Sequence, residues 1–427
     1  MTTPRPSFRT SRPSWAPRAG AWLAWLLLAL APVGAAHAQA EITGFGSNPG
    51  NLRMFAYVPA DLPRNAPLVV AMHGCSQSAA SYDAEPGWQL LADRWHFALL
   101  LPQQDAANNT SRCFNWFEPG DMARGQGEAL SIRQMIDAML ARHGGDPKRV
   151  FVTGLSAGGA MTSVMLAAYP EVFAGGAIVA GIPYGCGSGL VDAVPCLNPG
   201  KNLTPAQWGD KVRAAYPGYA GPRAPVSIWQ GTSDLTVVPA NMAELVEQWT
   251  NVMGIDQIAD AGFDVNGYPQ RIYKDAAGRP RVETWRITGM GHGTPIDPGT
   301  GQAQCGIPAS YILDAGICSS YHIGLSWGLD DLDGAPPTAR IVAPIGGKVL
   351  SGTVTIRVEA GDEIGVERVE FLRDGVRIGS DATAPYTLAW NTATTGDGPH
   401  LLQARAIDLV GNSATSDLVQ VEVYNTR

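Results

Sequence analysis

Basic residues are few and never clustered. The chain has 30 Lys and Arg against 38 Asp and Glu, a formal net charge of −8. Phosphate backbones repel such a chain, so nucleic acid is a poor partner for it. No apolar run reaches the roughly 20 residues that a membrane span needs. The run that comes nearest extends from Ala21 to Ala31 and is closed by Pro32 and Gly34. No cysteine precedes Cys75, which argues against a lipid-anchored N-terminus. No C-x-x-C spacing supports zinc. Nothing resembles a phosphate-binding or metal-ligand motif, so no metal and no organic cofactor is implied.

The N-terminus has a pattern of its own. Arg5, Arg9, Arg12 and Arg18 precede the short apolar run, and Ala36-His37-Ala38 follows it. A basic region, an apolar core and an A-x-A site read as a secretory signal peptide over residues 1–38. Its removal takes away four arginines and no acid, moving the charge from −8 to −12. An exported, acidic, soluble monomer is expected, with no membrane contact after cleavage. Export makes the six cysteines candidates for disulfides. Close spacing pairs Cys186 with Cys196 and Cys305 with Cys318, leaving Cys75 with Cys113, while other pairings stay open.

Composition divides the remainder. From residue 39 to 332, short apolar runs alternate with helix-period segments, the pattern of an α/β domain with a parallel sheet. The stretch DDLDGAPP, Asp330 to Pro337, reads as linker, with residues 333–337 at its centre. Beyond it the period becomes two: Val354, Ile356 and Val358, then Val369 and Phe371, then Val419, Val421 and Val423. Asp374-Gly375 between VEFLR and VRIG is a hairpin signal. Residues 338–427 thus read as a small immunoglobulin-like β-sandwich. Val366, Leu372, Leu388, Trp390 and Leu401 are core or contact residues of that module. Asp362 and Asp408 lie in turn-like stretches where ordinary turn chemistry is preferred to calcium.

The chemistry centres on VFVTGLSAGGAMTSVMLAAYP, Val150 to Pro170. A β-branched run leads into Gly154-Leu155-Ser156-Ala157-Gly158. Ala157, Met161, Val164, Met165 and Ala168 then recur at helical spacing. This places Ser156 on a tight strand-to-helix turn, where the flanking glycines admit the crowded backbone. A serine hydroxyl needs a base, and the base needs an orienting carboxylate. Asp234 follows the strand-like run Val226–Trp229, and His292 follows Val282–Ile287, in the chain order Ser, Asp, His. Pro67 to Cys75 reads as another buried strand entering a glycine turn. The N–H groups of Cys75 and Ala157 are the expected oxyanion donors, with His73 ordering the loop. His96, His143, His322, His400 and Asp210 sit in settings where packing or solvation explains them. Trp116, Phe117, Trp208 and Trp229 are aromatic candidates for the acyl pocket, although tryptophan more often packs in cores.

VVAMHGCSQS, RCFNWF, GLSAGGAMT, IWQGTSDLTVVP and GMGHGTP together resemble the secreted poly(3-hydroxybutyrate) depolymerase family of esterases, α/β-hydrolases related to feruloyl and acetylxylan esterases. PYGCG, AQWGD and ILDAGICSSYHIGLSWGL extend the resemblance across nearly all of residues 41 to 332. It implies Ser156 as nucleophile, Asp234 as orienting acid, His292 as general base and Cys75 on the oxyanion loop. It also implies an ester substrate, which can be an insoluble polyester. Polymer-degrading members often carry a separate polyester-binding domain at the C-terminus, whereas this chain ends in one immunoglobulin-like module, either a binder or a spacer. Feruloyl or acetylxylan esterase, and hydrolase of aromatic polyesters, are the enzyme alternatives. A binding protein on an inactive hydrolase fold is the non-enzyme alternative.

Overall fold

The computed structural model describes residues 39–60, 62–330, 336–362, 366–408 and 411–425. The expected signal peptide and residues 333–335 of the expected linker lie outside them. Among the described residues, no helix is long and apolar enough to cross a membrane.

Ten strands form one sheet: Ala40–Ile42 (β1), Arg53–Tyr57 (β2), Leu68–Met72 (β3), Ala98–Gln103 (β4), Val150–Leu155 (β5), Gly175–Val179 (β6), Val226–Gly231 (β7), Ala261–Val265 (β8), Tyr268–Lys274 (β9) and Pro280–Ile287 (β10). Their order is β1-β2-β4-β3-β5-β6-β7-β10-β9-β8. The six central strands, β4 to β10 in that order, run parallel, with antiparallel pairs at both edges. The connecting helices are Ala79–Tyr82 (α1), Trp88–Trp95 (α2), Pro119–Met122 (α3), Gly127–His143 (α4), Ala157–Ala168 (α5), Leu190–Leu197 (α6), Pro205–Ala215 (α7), Ala240–Met253 (α8) and Ser319–Ser326 (α9). A short parallel pair, Thr294–Ile296 (β11) and Ile312–Asp314 (β12), follows the main sheet.

Successive strand residues point to opposite faces, so each central strand feeds two cores. On β3, Leu68, Val70 and Met72 pack into the core that includes α4, α5 and α8. Val69 and Ala71 face the other core, with α2 and α9. Both faces are covered, which is why these strands read as continuous apolar runs. The β8–β9 hairpin was not expected from the sequence, although its signal is present. Asn266 and Gly267 both hold positive φ, +53° and +81°, the pair that a two-residue hairpin turn requires.

The C-terminal strands close a sandwich of two sheets, as expected. Thr338–Ala343 (β13), Thr353–Gly361 (β15) and Tyr386–Asn391 (β18) form one. Val349–Leu350 (β14), Val366–Arg373 (β16), Val376–Asp381 (β17), Gly398–Asp408 (β19), Ser413–Thr415 (β20) and Val419–Val423 (β21) form the other. Ile356, Val358 and Trp390 of the first meet Val369, Phe371, Leu402 and Val421 of the second. Asp374 and Gly375 turn the β16–β17 hairpin with φ of +50° and +78°. Val366 and Leu388 pack against this core, whereas Leu401 is exposed. Asp408 accepts the N–H groups of Gly411 and Asn412, ordinary turn chemistry as expected.

Helix α5 is buried along its whole length. Its N-terminus lies so close to the end of β3 that a Cβ at Gly158 would stand 2.2 Å from the Met72 carbonyl oxygen. Backbone there cannot give way. Gly158→Ala is therefore expected to cost about 3 kcal/mol or more, lowering Tm by roughly 6–12 °C. Gly291→Ala, where an added Cβ meets nothing within 4 Å, should melt like the wild type. Thermal unfolding of the two variants in parallel checks this.

Candidate active site

Ser156, Asp234 and His292 leave the carboxyl ends of β5, β7 and β10, and the expected oxyanion loop leaves β3. In open α/β sheets this edge is where ligands bind. Ser156 caps α5 at φ +57°, ψ −115°, a backbone conformation that side-chain-bearing residues avoid. Its N–H donates to Val179, and its carbonyl accepts the N–H of Ala160. These bonds, with the glycine close approach below it, hold the strained turn.

Asp234 is buried and fully occupied. Its Oδ1 accepts the N–H groups of Thr236 and Val237, each at 2.9 Å. Its Oδ2 accepts Nε2 of Gln230 at 3.0 Å and meets Nδ1 of His292 at 2.7 Å. Facing a carboxylate, Nδ1 carries the proton and leaves Nε2 as the acceptor. His292 and Ser156 line one cavity of about 210 Å³, together with Cys75, Gln77, Leu197, Thr236 and Tyr311. The loops carrying Asp234 and His292 are tied together. Ser233 N–H donates to Met290 at 2.9 Å, and Gly289 N–H donates to the Thr232 hydroxyl at 2.8 Å. A Cβ on Gly231 would stand 2.4 Å from the Met290 oxygen.

The β3 loop is held from several sides. His73 is fully buried, and its Nδ1 bonds the Gly74 carbonyl at 2.7 Å while Nε2 accepts the Gln104 N–H at 3.1 Å. Burial pulls this imidazole down to about 4, and with both ring nitrogens already bonded it has none free to take a proton from Ser156. Gly74 N–H donates to Gln77 Oε1 at 2.8 Å, and Ser76 N–H donates to Ser111 at 2.7 Å. Cys75 is bridged to Cys113, as Cys186 is to Cys196 and Cys305 to Cys318, the expected pairings.

Behind that loop lies Glu128, which the sequence reading passed over. It opens α4 and is buried. Its carboxylate accepts the Asn115 N–H at 2.8 Å, Nδ2 of Asn108 at 3.2 Å, and Nε2 of Gln104. Gln104 also donates to the Cys113 carbonyl at 3.1 Å and, through its own N–H, to His73. One buried chain of polar groups therefore connects α4 to Cys113 and, through His73, to the Gly74 carbonyl beside Cys75. An acidic residue in a helix first turn was its only sequence signal. Gln230, an amide inside the apolar run VSIWQG, was the matching signal on the Asp234 side.

The other polar candidates stay apart from the cavity. His96 caps α2, His143 ends α4, and Asp210 pairs with Arg213 in solvent. His322 packs on Trp285 at 5.0 Å, and His400 bonds Asp374 at 2.6 Å. The aromatic expectation needs correction. Trp116, Phe117, Trp208 and Trp229 are all buried and none lines the cavity. Trp208 donates to Glu244, and Trp229 stacks on Trp285 at 4.4 Å, so their large apolar rings fill the two cores.

Comparisons with known proteins fit this arrangement. The family model described as esterase PHB depolymerase matches residues 53–267, and a bacterial Ig domain model matches residues 337–404. A curated relative, poly(3-hydroxyalkanoate) depolymerase C of Paucimonas lemoignei, is 57% identical over 293 residues, covering 69% of this chain and 70% of that protein. The chain belongs to the PHB depolymerase esterase family. This family member is a carboxylic ester hydrolase on an α/β-hydrolase fold, followed by an immunoglobulin-like sandwich. Feruloyl esterase B of Neurospora crassa is 35% identical over 265 residues, covering 60% of this chain and 88% of that one. Among solved structures, an acetyl xylan esterase from Aspergillus awamori superposes with a TM-score of 0.56 at 30% identity, covering 60% of this chain and 94% of that one.

The buried chain behind the β3 loop generates a pH prediction. Burial pushes the Glu128 carboxyl up to about 8, against the pull of its donors. The folded state then holds this proton more tightly, so the stability it contributes is complete below pH 4.5 and is lost as pH rises through 8. His73 acts in the opposite direction, its contribution being lost as pH falls from 6.5 to about 4. Between pH 6.5 and 8 only Glu128 of the two titrates, with a slope of at most about 1.4 kcal/mol per pH unit. Glu128→Gln should flatten this part of the wild-type Tm profile. It should also lose about 1–3 kcal/mol at pH 5, because its NH₂ faces an N–H donor. Tm measured across the range for both proteins checks the sign.

Proposed function

We propose that this esterase is exported and hydrolyses the ester bonds of short-chain polyhydroxyalkanoates such as poly(3-hydroxybutyrate), acting as a monomer. The observation that carries the chemistry is the cavity shared by Ser156 and a His292 that a buried, fully bonded Asp234 orients. The identity to the Paucimonas enzyme carries the substrate class. The size of the cavity agrees: at about 210 Å³ it is smaller than sites for drug-sized ligands and suits a short acyl unit.

In this reading Ser156 Oγ attacks the ester carbonyl while His292 Nε2 takes its proton. The oxyanion forms against the N–H groups of Cys75 and Ala157. His292 then gives the proton to the leaving alcohol, and water, activated by the same nitrogen, releases the acyl group from Ser156. Asp234 holds the ring and its Nδ1 proton in place and faces the imidazolium. No step needs a metal or cofactor. Three disulfides support export to an oxidising compartment, and the division at residues 38, 332 and 337 belongs to the same proposal.

Residues 39–427 should release soluble hydroxybutyrate products from amorphous poly(3-hydroxybutyrate) granules, and Ser156→Ala should lose about 10⁵–10⁶-fold in kcat. Asp234→Asn should lose about 10⁴-fold with the fold intact. Intact granules beside rapid release of ferulate from methyl ferulate would move the enzyme to the plant-wall esterases.

A further inference from the structure

Helix α6 departs from the rule that apolar side chains are covered. Leu190, Val191 and Val194 are 64%, 89% and 55% exposed. At 100° per residue these three fall within one third of the helix circumference. The opposite side, Ala193 and Cys196, is buried. Leu197, the next residue round from Leu190 on the helical wheel, lines the Ser156 cavity. The ridge is therefore continuous with the cavity mouth. Leu235, 81% exposed, stands between Asp234 and the cavity residue Thr236. Its carbonyl accepts Nδ2 of Asn198, just past the helix, at 3.0 Å.

The helix is fixed in place at both ends. The Cys186–Cys196 bridge spans it. Gly189 N–H donates to Phe117 at 2.8 Å, Val238 N–H donates to Leu197 at 3.0 Å, and Nδ2 of Asn241 donates to Cys196 at 3.0 Å. Its acid, Asp192, is paired with Lys201. Three adjacent branched aliphatic side chains held rigidly in water form an apolar patch, and such patches mark interaction sites.

We infer that this ridge seats the enzyme on the apolar surface of its insoluble polyester, with the cavity mouth beside the contact. The inference rests on the polyester reading above. The cavity holds one short unit, so the rest of a polymer chain has to lie outside it, where α6 and Leu235 border the mouth. A neutral polyester offers an acidic protein no charge attraction, and apolar contact is the interaction that remains. A soluble ester needs no such surface.

The test uses the whole mature chain with Leu190→Gln, Val191→Gln and Val194→Gln together. These exposed positions accept glutamine at no cost in helix propensity. With Ser156 intact, turnover of soluble p-nitrophenyl acetate should stay within about twofold of wild type, which confirms folding. In a Ser156→Ala background, partition onto amorphous poly(3-hydroxybutyrate) granules should fall about tenfold or more, and added salt should not weaken what remains. Granule erosion by the triple variant should slow by a similar factor. If wild type erodes granules and the variant adsorbs and erodes equally well, the ridge inference falls while the polyester reading stands. Granules untouched by wild type overturn that reading and the ridge's role with it. Wild type that sediments as a dimer, with a monomeric variant, would assign the ridge to a second copy and overturn the inference.

Discussion

The approach of one backbone to another at the N-terminus of α5 is what the active site depends on. Gly158 stands against the Met72 and His73 carbonyls, and Gly154 stands against Gly158, with no room for a β-carbon at either. That contact presses the helix start onto the end of β3. It sets Ser156, at positive φ, beside the loop that begins at His73. The serine and the β3 loop come from strands that neighbour each other in the sheet but are far apart in sequence, so only main-chain proximity brings them into register. Asp234 and His292 are joined in the same manner, through Gly231 against Met290 and Gly291.

On that frame, buried polar groups do the orienting. Asp234 has a donor for each lone-pair direction it uses, and Gln230, near the end of a wholly buried strand, provides one of them. His73 spends both ring nitrogens on backbone, so it fixes loop geometry and has no free nitrogen to offer Ser156. Glu128 and Gln104 carry the same support down to α4. An unsatisfied group in either set would cost its full desolvation, which ties the integrity of the site to that of the fold.

The loops of the candidate site could be read from the sequence because each follows a short apolar strand, and glycine, serine or threonine comes within two residues of each strand's end. Period-two alternation made the C-terminal sandwich equally clear, down to the Asp374-Gly375 turn. Three features escaped for physical reasons. Tryptophan is large and apolar, so composition alone cannot divide core from pocket, and all four aromatic candidates proved to be filling. Glu128 and Gln104 act through contacts 24 residues apart, which no local pattern encodes. Asn266-Gly267 was legible and passed over, because its strands are half-exposed and lack the apolar run that marked the others.

The bridge from Cys75 to Cys113 also bears on how the cavity wall meets a change of redox surroundings. One of its sulfurs belongs to a residue that lines the cavity beside Ser156, so the bridge fastens that wall covalently to the segment at Cys113. In a reducing cytosol the loop would be held by hydrogen bonds alone. Oxidation therefore adds a covalent fastening to a wall that the fold has already set in place.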